Sequence, residues 1–390
     1  MTTPGADDIV IIGIGQTPVG EHWDKGVRNL ATDAILEAMA DAGGLRPDAV
    51  YVGSFLTSMV SRQANLGSLI PDQAGLGGIE GITVEAGEAS GGAALRMAVL
   101  ALRSGFLNTA LVVGVEKPTD KVGEEVEDAI QQSADYDYEG MMGLTMHTQG
   151  ALLKQRYLHH YQLDENVLAP FAVIAHQNAV ANEHAMYRRA ITAEQYARSG
   201  MVAAPLKMMD MAAYADGAAA LILTRASLVP KNYAHPIVRI TGSSNATDRL
   251  ALHDRIDPLA FSAVAHSFNT AIRKAGILPD EIDFLEVDDA FTIYAALSLE
   301  AMAYAEHGEA GAKAAEGYFN LDGKLPILTA GGRKARGNVL GATGVYQVVE
   351  AALQLRGEAG AGQIPGNPKR ALVQTLGGPA STVVTHILER

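Results

Sequence analysis

Residues 84–96, VEAGEASGGAALR, read as the end of a short strand, a tight turn and the start of a helix rich in small residues. Gly87 suits a tight turn because glycine reaches backbone conformations that other residues avoid. A strand that leads directly into a helix is a building unit of α/β folds, so this stretch predicts an α/β protein. Glu88 stands in the turn, where the start of the helix would offer backbone N–H groups to a ligand.

One helix–strand pattern occurs on both sides of this segment. Residues 40–52 read ADAGGLRPDAVYV and residues 273–285 read RKAGILPDEIDFL. In both, a helix stops at Ala-Gly, and Pro-Asp and an apolar strand follow, which are the expected stop signals of a helix. Residues 9–13 pair in the same way with 237–242, and residues 217–223 with 381–387. The shared order favours an internal duplication over a chance likeness of two α/β halves. Each half would carry a mixed sheet.

Residues 116–209 interrupt the strand–helix rhythm of the first half. They begin with an acidic stretch, residues 123–140, which we interpret as a solvated loop, and continue with helical segments. The acidic spacing does not match a calcium-binding loop. Long insertions in compact domains usually act as functional loops or lids. We therefore predict an N-terminal half over residues 1–235 with an inserted domain, and a C-terminal half over residues 236–390.

Composition limits the classes of function. The chain has 390 residues, 48% of them hydrophobic, which is enough for two lobes with a large core. A net charge of −14 argues against general nucleic-acid binding, which needs a basic face. The absence of cysteine excludes disulfides and thiolate chemistry, and no histidine pattern predicts a metal site. Residues 1–8 do not look like a secretory signal and no apolar run is long enough to span a membrane, so we expect a cytoplasmic protein.

A second glycine-rich segment identifies the family that the chain resembles. Residues 331–344 read GGRKARGNVLGATG, with five glycines in fourteen residues. Their spacing resembles the thiolase-superfamily loop Gly-Gly-x-x-Ala-x-Gly-His-Pro-x-Gly-Ala-Thr-Gly, with Asn338 in place of the histidine and Val339 in place of the proline. In that family, the turn residue that corresponds to Glu88 is the cysteine that takes up the acyl group. Three shorter segments also match family motifs: residues 142–145 (MGLT), 287–291 (VDDAF) and 375–378 (TLGG).

The resemblance implies a fold and a set of partners. The fold would have two duplicated βαβ halves in a five-layered α-β-α-β-α arrangement, with an inserted loop domain. The chain is most similar to archaeal-type and sterol-carrier-protein-type thiolases, and archaeal-type enzymes work beside a small OB-fold protein. We therefore expect a homodimer or a dimer of dimers, with an OB-fold partner. The substrate would be an acyl-CoA, with coenzyme A as part of the substrate and no tightly bound cofactor.

The substitutions change the chemistry that the resemblance would imply. Glu88 is a much weaker nucleophile than a thiolate, which disfavours an acyl-enzyme. Two carboxyl groups in one apolar pocket raise the pKa of at least one of them, which suits acid/base work. We therefore predict aldol or retro-aldol chemistry, with Glu88 and Asp288 as the acid/base pair and with Asn338 and the Gly377 N–H as enolate donors. His147 is a further acid/base candidate, or a polar loop residue.

Two other functions stay open, as does the site for coenzyme A. The chain could be a non-catalytic scaffold or acyl-CoA-binding subunit in a complex with an OB-fold protein. It could also transfer acyl groups by a modified mechanism. The phosphates of coenzyme A need cations, and a local cluster of Arg333, Lys334 and Arg336 offers them. Arg188 and Arg189 form a second candidate cluster, and each of these residues could equally be a solvated surface charge.

Overall fold

The structure, a computed structural model, describes residues 5–390. The predicted strand, turn and helix around Glu88 are present as β3 (Glu80–Val84) and α3 (Ser90–Ser104). The first four residues of the polar N-terminal stretch lie outside the described residues, so the expectation that it is no secretory signal is not tested there.

Strands and helices alternate along the chain up to residue 116 and mostly come in runs after it. The other strands are β1 (Ile9–Gln16), β2 (Ala49–Gly53), β4 (Thr109–Glu116), β5 (Met201–Ala203), β6 (Leu206–Lys207), β7 (Gly217–Arg225), β8 (Val238–Thr247), β9 (Phe284–Glu286), β10 (Arg370–Gly377) and β11 (Thr382–Glu389). The other helices are α1 (Val27–Asp41), α2 (Leu66–Gln73), α4 (Gly123–Gln131), α5 (Met146–Tyr161), α6 (Ala169–Ala179), α7 (Ala193–Ala197), α8 (Ser262–Ala275), α9 (Thr292–Ala301), α10 (Ala310–Ala315), α11 (Gly332–Arg336) and α12 (Thr343–Arg356). From residue 5 onward, none of these helices is both long and apolar enough to cross a bilayer.

The main sheet shows the duplication directly. Its order is β3-β2-β4-β7-β1-β8-β11-β10-β9. Read outward from the centre, the first half has β1, β7, β4 and β2, and the second half has β8, β11, β10 and β9 in the same roles. In each half, the two inner pairs are antiparallel and the outer pair is parallel. The first half adds β3 as an outer parallel strand, and within the sheet the two halves meet where Val10 and Ile11 pair with Arg239 and Val238.

Three apolar clusters hold the layers together. Helices α1 and α2 pack on one face of the first half through residues such as Leu30, Ile35 and Leu66. Helices α3 and α12 lie between the two halves of the sheet and contribute Leu95 and Val345 to one shared cluster. Helices α8 and α9 cover the outer face of the second half. The structure therefore has the α-β-α-β-α layering that the resemblance implied, and the fold class is confirmed.

The insertion differs from its prediction in one part. Residues 123–140 were expected to form a solvated loop, but residues 123–131 form helix α4. Val126, Ala129 and Ile130 are buried, and their spacing places them on one face of the helix. Acidic residues in the first turn, Glu124 and Glu125, favour the positive end of the helix dipole. The exposed acidic residues of α4, Glu124, Glu125 and Asp128, therefore lie on the outer face of an amphipathic helix.

Candidate functional site

The turn before α3 fixes the position of Glu88. Gly87 adopts a left-handed conformation with φ of +58°, which explains the need for glycine there. The Ser90 hydroxyl accepts a hydrogen bond from the Ala86 N–H at 3.0 Å and donates one to the Gly87 carbonyl. These contacts close the turn on itself. Glu88 follows with its side chain directed inward, and the residue is only 1% exposed.

The two glycine-rich segments meet where α3 and α12 begin. A Cβ atom added to Gly344 would lie 2.5 Å from the Gly92 nitrogen and 2.8 Å from the Thr375 hydroxyl. No side chain fits there, so the two helix starts approach each other backbone to backbone. This contact carries the loop of residues 331–344 to the turn that holds Glu88.

Arg333 connects the side chains that the sequence singled out. Its Nη1 lies 2.9 Å from both carboxylate oxygens of Asp288, and its Nη2 lies 3.0 Å from Glu88 Oε1. Its Nε donates to the Asn338 side-chain oxygen at 3.0 Å. All four residues are buried. The structure therefore brings Glu88, Asp288 and Asn338 together around a buried guanidinium that the sequence reasoning had assigned to phosphate binding.

The two carboxyl groups on Arg333 have different surroundings. Asp288 also accepts hydrogen bonds from the N–H groups of Ala290 and Leu376, each at 3.1 Å. Glu88 Oε2 has no hydrogen-bond partner among residues 5–390. Burial raises the pKa of Glu88 to about 7, and the charge of Asp288 adds to this rise, while Arg333 and the Asn338 amide oppose it. Glu88 is therefore poised to exchange a proton near neutral pH.

Gly377 borders the same turn from the second half of the molecule. A Cβ atom on Gly377 would lie 2.7 Å from the Ala86 carbonyl oxygen, and one on Gly87 would lie 3.7 Å from the Gly377 Cα atom. The end of β10 therefore packs directly against the turn that carries Glu88. This contact places the predicted Gly377 donor beside the site.

Two further buried carboxyl groups escaped the sequence reasoning. Glu116, at the end of β4, accepts from the N–H of Leu56 at 3.1 Å and the hydroxyl of Ser54 at 3.2 Å. Asp289 accepts from the N–H groups of Arg333 and Lys334. Burial raises the pKa of both Glu116 and Asp289 to about 7. An acidic residue at or just beyond the end of a buried strand was the available signal.

His147 lies at the edge of this centre. It is the second residue of α5, and its Nδ1 is 3.4 Å from a carboxylate oxygen of Glu127. Its ring centroid is 5.9 Å from that of Phe291 and 6.3 Å from that of Tyr214. Across the described part of the chain, no hydrogen bond or ion pair joins His147 to Glu88, Asp288 or Asn338. Its role as an acid/base stays a prediction.

The basic residues of the 331–344 loop face the interior and not a phosphate-binding surface. Arg333 is 1% exposed, Lys334 5% and Arg336 0%. Lys334 Nζ donates to the Met211 carbonyl, and Arg336 Nη1 lies 2.8 Å from a Glu350 carboxylate oxygen. Their expected role at the phosphates of coenzyme A therefore needs correction in this conformation, because each cation has an internal acceptor.

The second basic pair lies at the surface. Arg188 and Arg189 are both exposed, and Arg188 lines a cavity of about 750 Å³ together with Thr329 and Glu350. Neither residue contacts the Glu88 centre by a hydrogen bond or ion pair recorded for residues 5–390. Their predicted contact with coenzyme A stays open.

Comparisons with known proteins agree with this architecture. Residues 9–227 match the family model described as Thiolase, N-terminal domain, and residues 244–390 match Thiolase C-terminal domain-like. The acetyl-CoA acetyltransferase of Methanothermobacter thermautotrophicus is 38% identical over 385 residues, which is 98% of this chain and 100% of that protein. The acetyl-CoA acetyltransferase of Methanocaldococcus jannaschii is 36% identical over 389 residues, 98% of each chain.

The solved structure of the Ltp2-ChsH2(DUF35) aldolase has a similar fold. It superposes with a TM-score of 0.87 at 23% sequence identity, over 99% of this chain and 98% of that chain. The family models together cover almost the whole chain, and the two acetyltransferases match it from end to end. The resemblance seen in the sequence is confirmed: the chain belongs to the thiolase superfamily.

Proposed function

We propose that this protein binds acyl-CoA thioesters and makes or breaks a carbon–carbon bond by aldol-type chemistry, without a covalent acyl-enzyme. The observation that carries the proposal is Glu88: a buried carboxyl group with a pKa near 7 and one unpartnered oxygen, at the position of the family's nucleophile. A group with a pKa near the working pH serves as both acid and base. The chain has no cysteine that could hold an acyl group.

The proposed reaction starts from a β-hydroxyacyl thioester. The Glu88 carboxylate removes the proton of the β-hydroxyl group, whose oxygen becomes the carbonyl oxygen of the leaving aldehyde or ketone as the Cα–Cβ bond breaks. The electron pair of that bond moves towards the thioester carbonyl and gives an enolate. Glu88 then returns its proton to Cα, which leaves the shortened acyl-CoA. The reverse sequence is an aldol addition.

Neighbouring groups would hold the enolate. The Asn338 side-chain oxygen accepts from the Arg333 Nε and the Leu340 N–H, both at 3.0 Å, so its amide N–H groups, which also stabilise the Glu88 carboxylate, are the donors it can offer to the enolate. The Gly377 backbone beside the turn would supply a second donor. Asp288 was predicted as half of the acid/base pair, but its two oxygens already accept from Arg333 and two backbone N–H groups. We assign it to positioning Arg333.

The relatives support the substrate class and suggest a partner. Two relatives at 36–38% identity are named for acetyl-CoA chemistry, which supports an acyl-CoA substrate with coenzyme A as its carrier. The Ltp2-ChsH2(DUF35) aldolase is named as an aldolase with a DUF35 partner, so the shared fold is compatible with the proposed aldol-type chemistry and with a partner protein. We accordingly propose a homo-oligomer in the cytoplasm that works with a small OB-fold protein.

A second function, a non-catalytic acyl-CoA-binding or scaffold subunit, is favoured by one observation. Arg333 fills the centre of the site and forms ion pairs with Glu88 and Asp288 at 3.0 and 2.9 Å, with all three side chains nearly inaccessible. Such a closed network is also what a pocket that has lost its chemistry would contain. The catalytic function predicts turnover of an acyl-CoA substrate, and the scaffold function predicts binding without turnover.

The test is an assay of purified protein, alone and with a copurified partner, on a series of β-hydroxyacyl-CoA substrates. We expect release of an aldehyde or ketone and a shortened acyl-CoA, and loss of turnover in Glu88→Gln with its fold intact. Mass spectrometry after incubation with acyl-CoA should find no acyl adduct. A stable adduct would contradict the noncovalent mechanism. Acyl-CoA binding without turnover in any combination would leave the scaffold function.

A further inference from the structure

The cavity of about 750 Å³ that Arg188 lines lies at the C-terminal end of α12. Its walls come from the last two turns of α12, the end of β1, residues 181–184 after α6, and residues 358–362. The Glu88 turn lies near the other end of this helix, where α12 begins beside α3. Glu88, Arg333 and Asn338 do not line the cavity. Its volume is that of an ordinary small-molecule site, so it is a candidate second binding site.

Two buried side chains in the wall of this cavity have an acceptor without a donor. Glu350 is 3% exposed, and its Oε2 lies 2.8 Å from Arg336 Nη1, but its Oε1 has no hydrogen-bond partner in residues 5–390. Gln16 is 8% exposed, and its Oε1 is also without a partner in that part of the chain. Buried polar atoms are normally hydrogen-bonded. Because both free atoms are acceptors, a ligand that meets them must be a donor.

Packing at the end of β1 holds Gln16 close to Glu350. Thr17 follows Gln16, and its hydroxyl lies 3.1 Å from that of Tyr346, which also lies 2.9 Å from the Thr17 carbonyl oxygen. Tyr346 and Glu350 are four residues apart in α12 and so share one face of the helix. The Arg336 guanidinium lies 5.0 Å from the centre of the Tyr346 ring and pairs with Glu350. Gln16 and Glu350 are therefore held at adjoining parts of the cavity wall.

Acidic residues outnumber basic ones around the cavity. The wall contains five acids and two arginines: Glu37, Asp41, Glu183, Glu350 and Glu358, with Arg188 and Arg356. The buried arginine, Arg356, is already paired, since its Nη1 lies 2.8 Å from Asp41. Glu37, Glu183 and Glu358 are exposed and mark the mouth of the cavity. The charge of the wall therefore favours a cation both at the mouth and at the buried end.

We propose that this cavity binds a short aliphatic diamine or polyamine, with one primary ammonium group donating to Glu350 and Gln16. An ammonium group has three donors and no acceptor, which matches two free acceptor oxygens. A second ammonium group would lie among the exposed acids at the mouth. The proposed site is independent of the acyl-CoA chemistry at Glu88, because the two sites share no residue.

Other classes of ligand fit the cavity less well. An anion would meet the excess of acids, with Arg188 as the exposed cation and Arg356 already paired. A zwitterionic amino acid would place its carboxylate beside the acids of the mouth. For a bound metal ion, the described residues offer no group of three or more histidine, aspartate or glutamate side chains arranged as ligands. A ligand with two positive groups matches both ends of the cavity.

The experiment is isothermal titration calorimetry of the full chain with 1,4-diaminobutane, and with 1,4-butanediol as the uncharged molecule of equal length. We expect one diamine per chain and at least roughly 10-fold weaker binding of the diol, as for loss of a charge-assisted hydrogen bond. Glu350→Gln should weaken diamine binding by roughly 10- to 100-fold, and Gln16→Leu by roughly 2- to 10-fold. These differences should persist in about 0.3 M NaCl, because salt screens exposed charges more than buried ones.

A matched variant separates this site from general attraction to an acidic protein. Glu194 is exposed on α7 and does not line the cavity, so Glu194→Gln should keep the wild-type affinity. Because Glu350→Gln changes the ion pair of Arg336, circular dichroism and urea unfolding check its fold, and Gln16→Leu tests the same cavity with that pair intact. Equal weakening in Glu350→Gln and Glu194→Gln, or no diamine binding by wild-type protein, overturns the proposal. Neither result bears on turnover of acyl-CoA at Glu88.

Discussion

Glu88 and Asp288 share one guanidinium group but differ in every other contact. Arg333 is 2.9 Å from both oxygens of Asp288 and 3.0 Å from one oxygen of Glu88. Asp288 has two backbone N–H donors in addition, and Glu88 has a bare oxygen. The pKa of Glu88 rises to about 7. The two carboxyl groups therefore differ in how fully they are hydrogen-bonded: both oxygens of Asp288 have donors, and one oxygen of Glu88 has none within the described chain.

The difference originates in the local backbone of the two regions. Around Glu88, the turn uses its own N–H groups, since Ala89 donates to the Ala86 carbonyl and Ser90 to the Gly87 carbonyl. Around Asp288, the chain leaves β9 beside β10, where the N–H of Leu376 is free to reach the carboxylate. The closed turn thus leaves one oxygen of Glu88 without a donor in the described chain, and the open strand end supplies donors to both oxygens of Asp288.

The largest expected effect comes from removing the shared cation. Arg333→Met would leave two buried carboxyl groups without their counter-ion, and breaking a buried ion pair in this way costs roughly 3–5 kcal/mol. We expect urea unfolding at neutral pH to show a loss of this size in the free energy of unfolding. Arg370 is the matched control, because its ion pair with Glu281 is partly exposed and should contribute about 1 kcal/mol or less. Equal losses in the two variants would contradict a central role for Arg333.

Substitution of the two carboxyl groups should have smaller effects on the free energy of unfolding, and the two effects should differ. Asp288→Asn removes the charge that Arg333 and two N–H groups satisfy, and should cost about 1–3 kcal/mol of unfolding free energy. Glu88→Gln should cost less than about 1 kcal/mol, since a carboxyl group with a pKa near 7 and a bare oxygen gains little from its charge. Urea unfolding of both variants at pH 7 measures the difference. If Glu88→Gln is the more damaging change, the contrast between the two groups is wrong.

The spacing of the glycines explains how much of the fold and of the candidate site could be predicted from the sequence. The spacing of glycines from Gly331 to Gly344 and the turn at Gly87 depend on backbone shape, which leaves a trace in residue type. The repeated helix–strand pattern likewise gave the duplicated halves. These features predicted an α/β protein with two similar halves, and the family resemblance that they carry implied the layers and a shared site for Glu88, Asp288 and Asn338.

The rest depends on side-chain direction, which spacing does not reveal. Arg333 stands among basic residues in a loop, and nothing in that pattern shows that its guanidinium turns inward between two carboxyl groups. Helix α4 differs from the predicted loop because its dense acidic residues obscure the helical spacing of Val126, Ala129 and Ile130. Glu116 comes close to the centre only through the packing of β4 against the 331–344 loop, where a Cβ atom on Gly341 would lie 2.7 Å from its Oε1.

The pH dependence of the unfolding free energy is a further test of the contrast between Glu88 and Asp288. The pKa of Glu88 is about 7 in the folded protein and about 4.5 for an unperturbed glutamate. Between these values, the folded protein keeps a proton that the unfolded chain releases, so this stabilisation is complete below about pH 4.5 and is lost as the pH rises to 7. The unfolding free energy of wild type relative to Glu88→Gln should therefore fall by up to about 1.4 kcal/mol per pH unit in this window.

The matched measurement repeats the pH series of unfolding experiments on Asp288→Asn. Because the charge of Asp288 raises the pKa of Glu88, its removal should lower that pKa and shift the pH window downward. Urea unfolding at several pH values between 5 and 8 gives both curves. An unchanged difference between wild type and Glu88→Gln across this range would show that Glu88 does not titrate there.

The smallest expected effect on turnover is at His147, the acid/base candidate that has no hydrogen bond or ion pair with Glu88 or Asp288 in the described chain. His147 packs against Phe291 and lies 3.4 Å from Glu127, and neither of them is bonded to Arg333, so His147→Gln should lower turnover of a β-hydroxyacyl-CoA less than about 10-fold. Glu88→Gln should lower it by roughly 100-fold or more, as for the loss of a general base. His159→Gln, an exposed change on the same helix, should leave turnover unchanged. If His147→Gln lowers turnover as much as Glu88→Gln does, the bare oxygen of Glu88 is not the group that accepts the substrate's proton.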